Sequence, residues 1–133
     1  MVTKLALIAV GGALGTLCRY GLHEAGVAIF GRTMSVGVLA ANVIGCLLLG
    51  FTATLAVERF TDLSDDLNVA LTIGFFGGLT TFSSFAFDTV THAQDGRWGH
   101  ALLNIALNLV LGLGAAVLGW WLAVRVAGAG ATS

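Results

Sequence analysis

The sequence contains no proline and few charged side chains. Only 10% of its 133 residues are Asp, Glu, Lys or Arg, whereas about a quarter is usual for a soluble domain. Hydrophobic residues make up 57% of the chain, and the mean hydropathy is +0.95. This composition excludes an ordinary soluble domain and indicates an integral membrane protein. No nucleic-acid partner is expected.

Cysteine is also scarce. Cys18 and Cys46 both lie in apolar segments, where a free cysteine usually behaves as a small buried hydrophobe. They imply neither a disulfide framework nor a metal site. The sequence shows no clustered set of nucleophile, base and metal ligands, so we expect the protein not to be an enzyme.

Long apolar runs fill most of the sequence. A helix needs roughly 20 apolar residues to cross the hydrocarbon core, so this chain supplies about four such helices with short loops. The predicted helices cover residues of about 4–26, 35–57, 67–91 and 98–126 in a single transmembrane domain, residues 1–133. A cleaved signal peptide is less favoured, because residues 5–22 form one span of the expected length.

The third predicted helix contains a polar stretch, residues 74–85, with the sequence GFFGGLTTFSSF. Without proline, glycine and the Thr and Ser side chains must interrupt this helix, the hydroxyls by competing for backbone hydrogen bonds. Unwound backbone at membrane depth is tolerated only where it is buried in protein or lines a cavity. We therefore predict that the third helix is broken near its middle, between Gly77 and Thr81, at a functional site.

Three asparagines lie among the apolar residues of the second and fourth helices. Asn42 either links two helices, a bond typically worth about 0.6–2 kcal/mol in membranes, or presents its N–H donors to an anion or to the helix break. Asn104 and Asn108 are four residues apart and lie on one helix face, which predicts a polar stripe.

Other side chains allow two interpretations each. Arg19, late in the first helix, is either an interfacial cation that reaches toward the headgroups or part of an anion pathway. Phe82 and Phe85 can share a helix face, and each is either an ordinary apolar residue or part of the pathway wall. Asp88 is either an interfacial carboxylate or the mouth of the pathway.

The positive charges are nearly balanced across a four-span chain. Lys4, Arg59 and Arg125 fall on one side, against Arg32 and Arg97 on the other, with Arg19 added if it reaches that interface. The positive-inside rule then gives almost no preference, as for a chain that inserts in both orientations. Two such chains can pair antiparallel as an inverted repeat, with a midplane site where helices are broken. A cage of backbone carbonyls there suits a small hard cation.

These features resemble the Fluc (CrcB) family of fluoride channels. The resemblance rests on Gly-Ala-Leu-Gly with Arg19 in the first helix, on Asn42 with Gly45 in the second, and above all on residues 74–85. It implies an antiparallel dual-topology homodimer with two fluoride pores and a central structural sodium ion. The expected partners are fluoride, membrane lipid and a second copy of the chain, in a bacterial plasma or inner membrane.

The resemblance also implies roles for individual residues. Asn42, Phe82 and Phe85 match pore residues of the family, and main-chain carbonyls of Gly77 and Thr80 from both subunits would hold the sodium ion. Thr81, Ser83 and Ser84 match the family's polar stretch in the third helix, whose hydroxyls help to carry the anion. Arg19 matches the arginine of the family's first helix.

The fourth helix departs from the family pattern. Asn104 and Asn108 stand where a tyrosine or hydroxyl residues are expected. We predict that these asparagines extend the polar track formed by the hydroxyls of the third helix, because a carboxamide can donate a hydrogen bond as a hydroxyl does. Ser84 replaces a more usual threonine and keeps its hydroxyl.

Passive fluoride export is the expected function, and two alternatives stay open. A small multidrug-type transporter shares the four-helix dual-topology architecture, but it needs a membrane-embedded carboxylate, and Glu24 and Asp88 lie near predicted helix ends. A non-transporting assembly subunit explains the small residues that favour close helix packing, but not the broken polar helix.

Overall fold

A computed structural model describes residues 1–31, 35–58 and 65–129 of the protein, and in those residues it is all-helical. The elements in chain order are α1 (Val2–Phe30), α2 (Val36–Glu58), α3 (Asp65–Val69), a π-helical segment (Ala70–Phe76), α4 (Gly77–Leu79), α5 (Phe82–Gln94) and α6 (Trp98–Ala129). The elements from α3 to α5 follow one another as the third span.

Four stretches of the described chain are long and apolar enough to cross a membrane: Val2–Phe30, Val36–Val57, Asp66–Gln94 and Trp98–Gly128. The prediction of an all-α protein with four spans is therefore confirmed. Arg32 and Arg59, which enter the predicted charge balance, lie outside the described residues.

The outer surface of the helices is apolar. Large side chains such as Leu17, Val110 and Leu113 are exposed in the single chain. Lipid tails are as apolar as these side chains, so the exposure carries no penalty in a bilayer. The packing between helices must therefore come from close backbone contact and from polar bonds.

Glycines let α1 approach the backbone of the third span. A methyl group added to Gly15 would overlap the carbonyl of Phe75, and one added to Gly74 would lie 2.8 Å from the carbonyl oxygen of Ile8. The same holds for Gly78, where an added methyl would lie 2.5 Å from the carbonyl oxygen of Gly12. Small residues at such spacings are what bring membrane helices into contact.

The other pair of long helices, α2 and α6, packs in the same way. An added methyl on Gly119 would lie 2.8 Å from the amide nitrogen of Phe51, and one on Gly50 would meet the backbone of Ala116. α6 returns antiparallel to α5 through a tight turn at Gly96, which has φ of 72°. The α5 and α6 helices therefore form a hairpin that carries polar side chains of both spans.

Two residues of the third span leave the helical conformation. Thr80 has φ −81° and ψ 152°, and Thr81 has φ −151° and ψ 111°. The Thr80 hydroxyl donates to the carbonyl of Phe76 at 2.9 Å, and the Thr81 hydroxyl caps α5 by accepting from the Ser84 amide at 3.2 Å. Gly77 lies within α4, so the two extended residues, hereafter the interruption, are threonines. Their hydroxyls satisfy backbone groups on both sides of the interruption.

Candidate functional site

Asn42 of α2 binds the interruption with both ends of its carboxamide. Its Oδ1 accepts from the Thr81 amide at 2.7 Å, and its Nδ2 donates to the Thr81 carbonyl at 3.2 Å. Nδ2 also donates to Oδ1 of Asn108 on α6, at 2.9 Å. Of the roles considered for Asn42, the structure shows two, the interhelical bond and the contact with nearby extended backbone.

The asparagines of α6 continue this polar contact along the helix. Asn108 Nδ2 donates to both the carbonyl and the Oδ1 of Asn104, each at 3.0 Å. Asn104 Nδ2 in turn donates to the Thr89 hydroxyl at 2.8 Å and to the Phe85 carbonyl at 3.3 Å. Asn42, Asn108 and Asn104 therefore form a hydrogen-bonded asparagine chain that connects α2, α6 and α5.

Three hydroxyls gather at the N-terminus of α5. The Thr81 hydroxyl lies 3.2 Å from the Ser83 hydroxyl and donates to the Ser84 hydroxyl at 3.1 Å. Thr81 is buried, Ser84 is half-buried and Ser83 is exposed. A helix N-terminus carries a partial positive charge and outward-pointing amides, so this hydroxyl cluster lies where an anion is favoured.

A cavity of about 630 Å³ opens between α1, α2 and α5. Its wall includes two members of the hydroxyl cluster and a cation, and its lining residues are Thr16, Arg19, Tyr20, His23, Val38, Ser83, Ser84, Phe87 and Asp88. The Nε atom of Arg19 is buried and has no hydrogen-bond partner among the described residues. A buried guanidinium donor of this kind is available to a negatively charged ligand.

The two predicted pathway phenylalanines contact each other. The ring centroids of Phe82 and Phe85 are 5.3 Å apart, and the rings meet edge to face at 62°. Phe85 is 8% exposed, whereas Phe82 is 76% exposed in the single chain. Neither belongs to the lining of the cavity, so in one chain the two rings and the cavity form separate features.

The carbonyls predicted to bind sodium have lost their helical partners. In a continuous helix the Gly77 carbonyl accepts from the Thr81 amide, and the Thr80 carbonyl from the Ser84 amide. Here the Thr81 amide donates to Asn42, and the Ser84 amide donates to the Thr81 hydroxyl. Main-chain carbonyls released in this way are suitable ligands for a hard monovalent cation, so the donor chemistry fits sodium.

Several residues of the site were not singled out from the sequence. Thr16, Tyr20 and His23 line the cavity beside Arg19, and their spacing of three to four residues places them on the face of α1 that carries the arginine. Thr89 accepts from Asn104 and itself donates to the Phe85 carbonyl at 2.8 Å. The helical spacing from Arg19 was the available signal for the first group, whereas Thr89 required the packing of α5 on α6.

The fold and the site define a multi-pass membrane protein in which the asparagine chain and the hydroxyl cluster lie beside the interruption of the third span. Residues 6–120 match the family model described as CrcB-like protein, Camphor Resistance (CrcB), and the chain belongs to this family. The resemblance drawn from the residues is thereby confirmed.

Relatives named as fluoride-specific ion channels cover nearly the whole chain. The chain is 41% identical over 121 residues to the fluoride-specific ion channel FluC 2 of Symbiobacterium thermophilum. The aligned residues cover 91% of this chain and 98% of that protein. It is 40% identical over 126 residues to the fluoride-specific ion channel FluC of Geobacter sulfurreducens, with 95% and 98% covered. These relatives are bacterial and are named as ion channels rather than enzymes, which together with the four spans supports a multi-pass protein of the bacterial cell membrane.

Proposed function

We propose that the protein is a fluoride-selective anion channel that passively exports cytoplasmic fluoride. The observation that carries the proposal is the hydroxyl cluster at the N-terminus of α5, beside a cavity whose wall includes the half-buried Arg19 with its buried Nε atom. Relatives that are named as fluoride-specific channels, at about 40% identity over most of both chains, support the same function.

Fluoride is small and strongly hydrated, so a pore must replace its water with donors at close range. The hydroxyls of Ser83 and Ser84 line the cavity and supply such donors, and Arg19 raises the potential for an anion there. A channel also has to release the ion, so several weak donors in sequence suit conduction better than one tight site.

In the dimer proposed below, the aromatic rings would extend this path without adding charge. The edge of a phenylalanine ring carries a partial positive charge, so Phe82 and Phe85 can face an anion edge-on. Their mutual edge-to-face packing holds the rings in defined orientations. We propose that they form the pore wall, that Asn42 holds the backbone of the interruption through Thr81, and that Asn42, Asn104 and Asn108 extend the polar track that begins at the hydroxyl cluster.

We further propose an antiparallel dual-topology homodimer with two pores, surrounded by membrane lipid. Phe82 and Gly77 are exposed in the single chain, and in this dimer a second copy would cover their face and complete the pore wall. The near balance of positive charge between the two sides of the chain supports insertion in both orientations. Terminal tags tested for accessibility from each side of the membrane should both be found on both sides, and a single uniform orientation would contradict this assembly.

A structural sodium ion at the dimer centre completes the proposal. The carbonyls of Gly77 and Thr80, from both subunits, are its proposed ligands, because their helical partner amides donate elsewhere. When bound, the cation would join the two interruptions and favour anions nearby. Replacement of sodium by a large organic cation during purification should dissociate or inactivate the dimer. An unchanged dimer with full fluoride flux would contradict a structural role for sodium.

The cellular role follows from acid chemistry. Hydrofluoric acid is weak, crosses lipid uncharged and dissociates in a more neutral cytoplasm, which traps fluoride inside. A passive channel lets the anion leave, driven in part by a membrane potential that is negative inside. The multidrug-transporter alternative needs an embedded carboxylate; Glu24 is exposed, whereas Asp88 is half-buried in the cavity wall, which also carries the cation Arg19.

Fluoride efflux from liposomes tests the function directly. Vesicles loaded with potassium fluoride and containing the purified protein should lose fluoride much faster than protein-free vesicles once a potassium ionophore balances the charge, as followed with a fluoride electrode. Efflux no faster than in protein-free vesicles would overturn the proposal.

A further inference from the structure

Two imidazoles meet at the end of the α5–α6 hairpin, one helical turn beyond the bond between Asn104 and Thr89. His92 lies in the last turn of α5, and His100 lies in the first turn of α6. Their ring centroids are 5.7 Å apart, and the rings are tilted at 49°. The tight turn at Gly96 brings the two rings together, although they are eight residues apart in the chain.

The environment of His92 leaves one ring nitrogen without a partner. The residue is 6% exposed, and its Nδ1 is buried with no hydrogen-bond partner among the described residues. A buried polar atom without a partner is unfavourable, so a ligand that binds this imidazole would remove a cost. His100 is only half-buried, which gives access from the surface of the hairpin.

The separation of the rings is close to that of two histidines on one metal ion. Imidazole nitrogens bind zinc at about 2.0–2.1 Å, and two imidazoles on a tetrahedral ion then have centroids about 5 Å apart. The observed 5.7 Å differs from that value by an amount that a small side-chain rotation can close. Imidazole ligands favour zinc, copper and nickel over magnesium or calcium.

We propose that His92 and His100 form a binding site for a divalent transition-metal ion such as zinc or nickel. Within the described residues, no group of three or more His, Cys, Asp and Glu side chains is placed to hold a metal, so water completes the coordination. Asp95 is not proposed as a metal ligand, because its carboxylate contacts the Arg97 guanidinium at 2.6 Å. The bound ion ties the end of α5 to the start of α6, and this proposal does not depend on fluoride transport.

Metal titration of the untagged protein tests the site. Nickel, added alone to the detergent-solubilised protein, should bind with a stoichiometry of one ion per chain by calorimetry and raise the thermal unfolding midpoint, whereas magnesium should do neither. His100→Gln and His92→Gln should each abolish the nickel effect. His23→Gln is the matched control, because the remaining histidine of the chain lies in the cavity wall, and it should retain the effect.

The opposite results would exclude the pair as a metal site. Absence of nickel binding to the wild-type protein, or undiminished binding by His100→Gln, would overturn the proposal. Loss of binding in His23→Gln would assign the metal to the cavity instead. If His92→Gln does not fold, His100→Gln decides the question, because its half-buried side chain can be replaced with less disturbance. Acidification should also release the metal, since protons compete for imidazole nitrogens.

Discussion

Replacement of Asn42 by alanine should destabilise the protein more than replacement of Asn108 by alanine. The side chain accepts from the Thr81 amide and donates to the Thr81 carbonyl and to Asn108. Loss of the interhelical bond costs about 0.6–1.7 kcal/mol in a membrane protein. The stranded Thr81 amide adds about 1–3 kcal/mol, the penalty for a buried donor left without a partner. We therefore expect Asn42→Ala to lower the free energy of unfolding by about 2–5 kcal/mol.

Unfolding by added sodium dodecyl sulfate in mixed micelles, followed by tryptophan fluorescence, measures this effect. Asn108→Ala removes the contact with Asn42 but leaves the Thr81 pair intact, and the double variant completes a cycle that isolates the Asn42–Asn108 bond. Asn68→Ala is the control, a half-buried asparagine on α3 outside the asparagine chain. If Asn42→Ala is no more destabilising than Asn108→Ala, the interruption does not depend on Asn42, and the reasoning fails.

Three further substitutions test the packing and the pathway. Gly15→Ala places a methyl group against the backbone of the third span and should cost about 1–3 kcal/mol or prevent folding, whereas Gly21→Ala, with open space around it, should behave as wild type in the same unfolding assay. Phe82→Ile and Phe85→Ile should each reduce fluoride efflux at least about tenfold, equivalent to about 1.4 kcal/mol on the barrier, without dissociating the proposed dimer. Undiminished flux in both variants would contradict a role of the ring edges in the pathway. Arg19→Gln should slow efflux most at low ionic strength, where charge is least screened, and an effect independent of salt would argue against an electrostatic role.

The spans were predictable because hydrocarbon thickness fixes their length and composition. The common face of Asn104 and Asn108 also followed from helical spacing, and the structure shows a direct bond between them. Individual helix ends are less constrained: α1 extends to Phe30 and α5 to Gln94, beyond the predicted residues 26 and 91. The local sequence shows which residues are apolar, but it does not show at which residue contacts with a neighbouring helix end the helix.

The partners of the polar side chains required the tertiary structure. The bonds of Asn42 join residues 39 and 66 positions apart, and no local pattern specifies such a separation. The π-helical segment Ala70–Phe76 likewise had no signal in the sequence, and it lies where the third span packs on the glycines of α1. The cavity beside Arg19 arises from three helices at once, so the sequence alone left both roles of that arginine open.

Simultaneous fluoride and chloride efflux from the same liposomes tests the central claim most directly. Vesicles are loaded with the potassium salts of both anions, and each ion is followed with its own electrode before and after addition of a potassium ionophore. Passive and selective conduction predicts that fluoride leaves rapidly only once the ionophore balances its charge, while chloride stays inside. Equal loss of both anions, or fluoride loss that does not depend on the ionophore, would contradict a passive fluoride-selective channel.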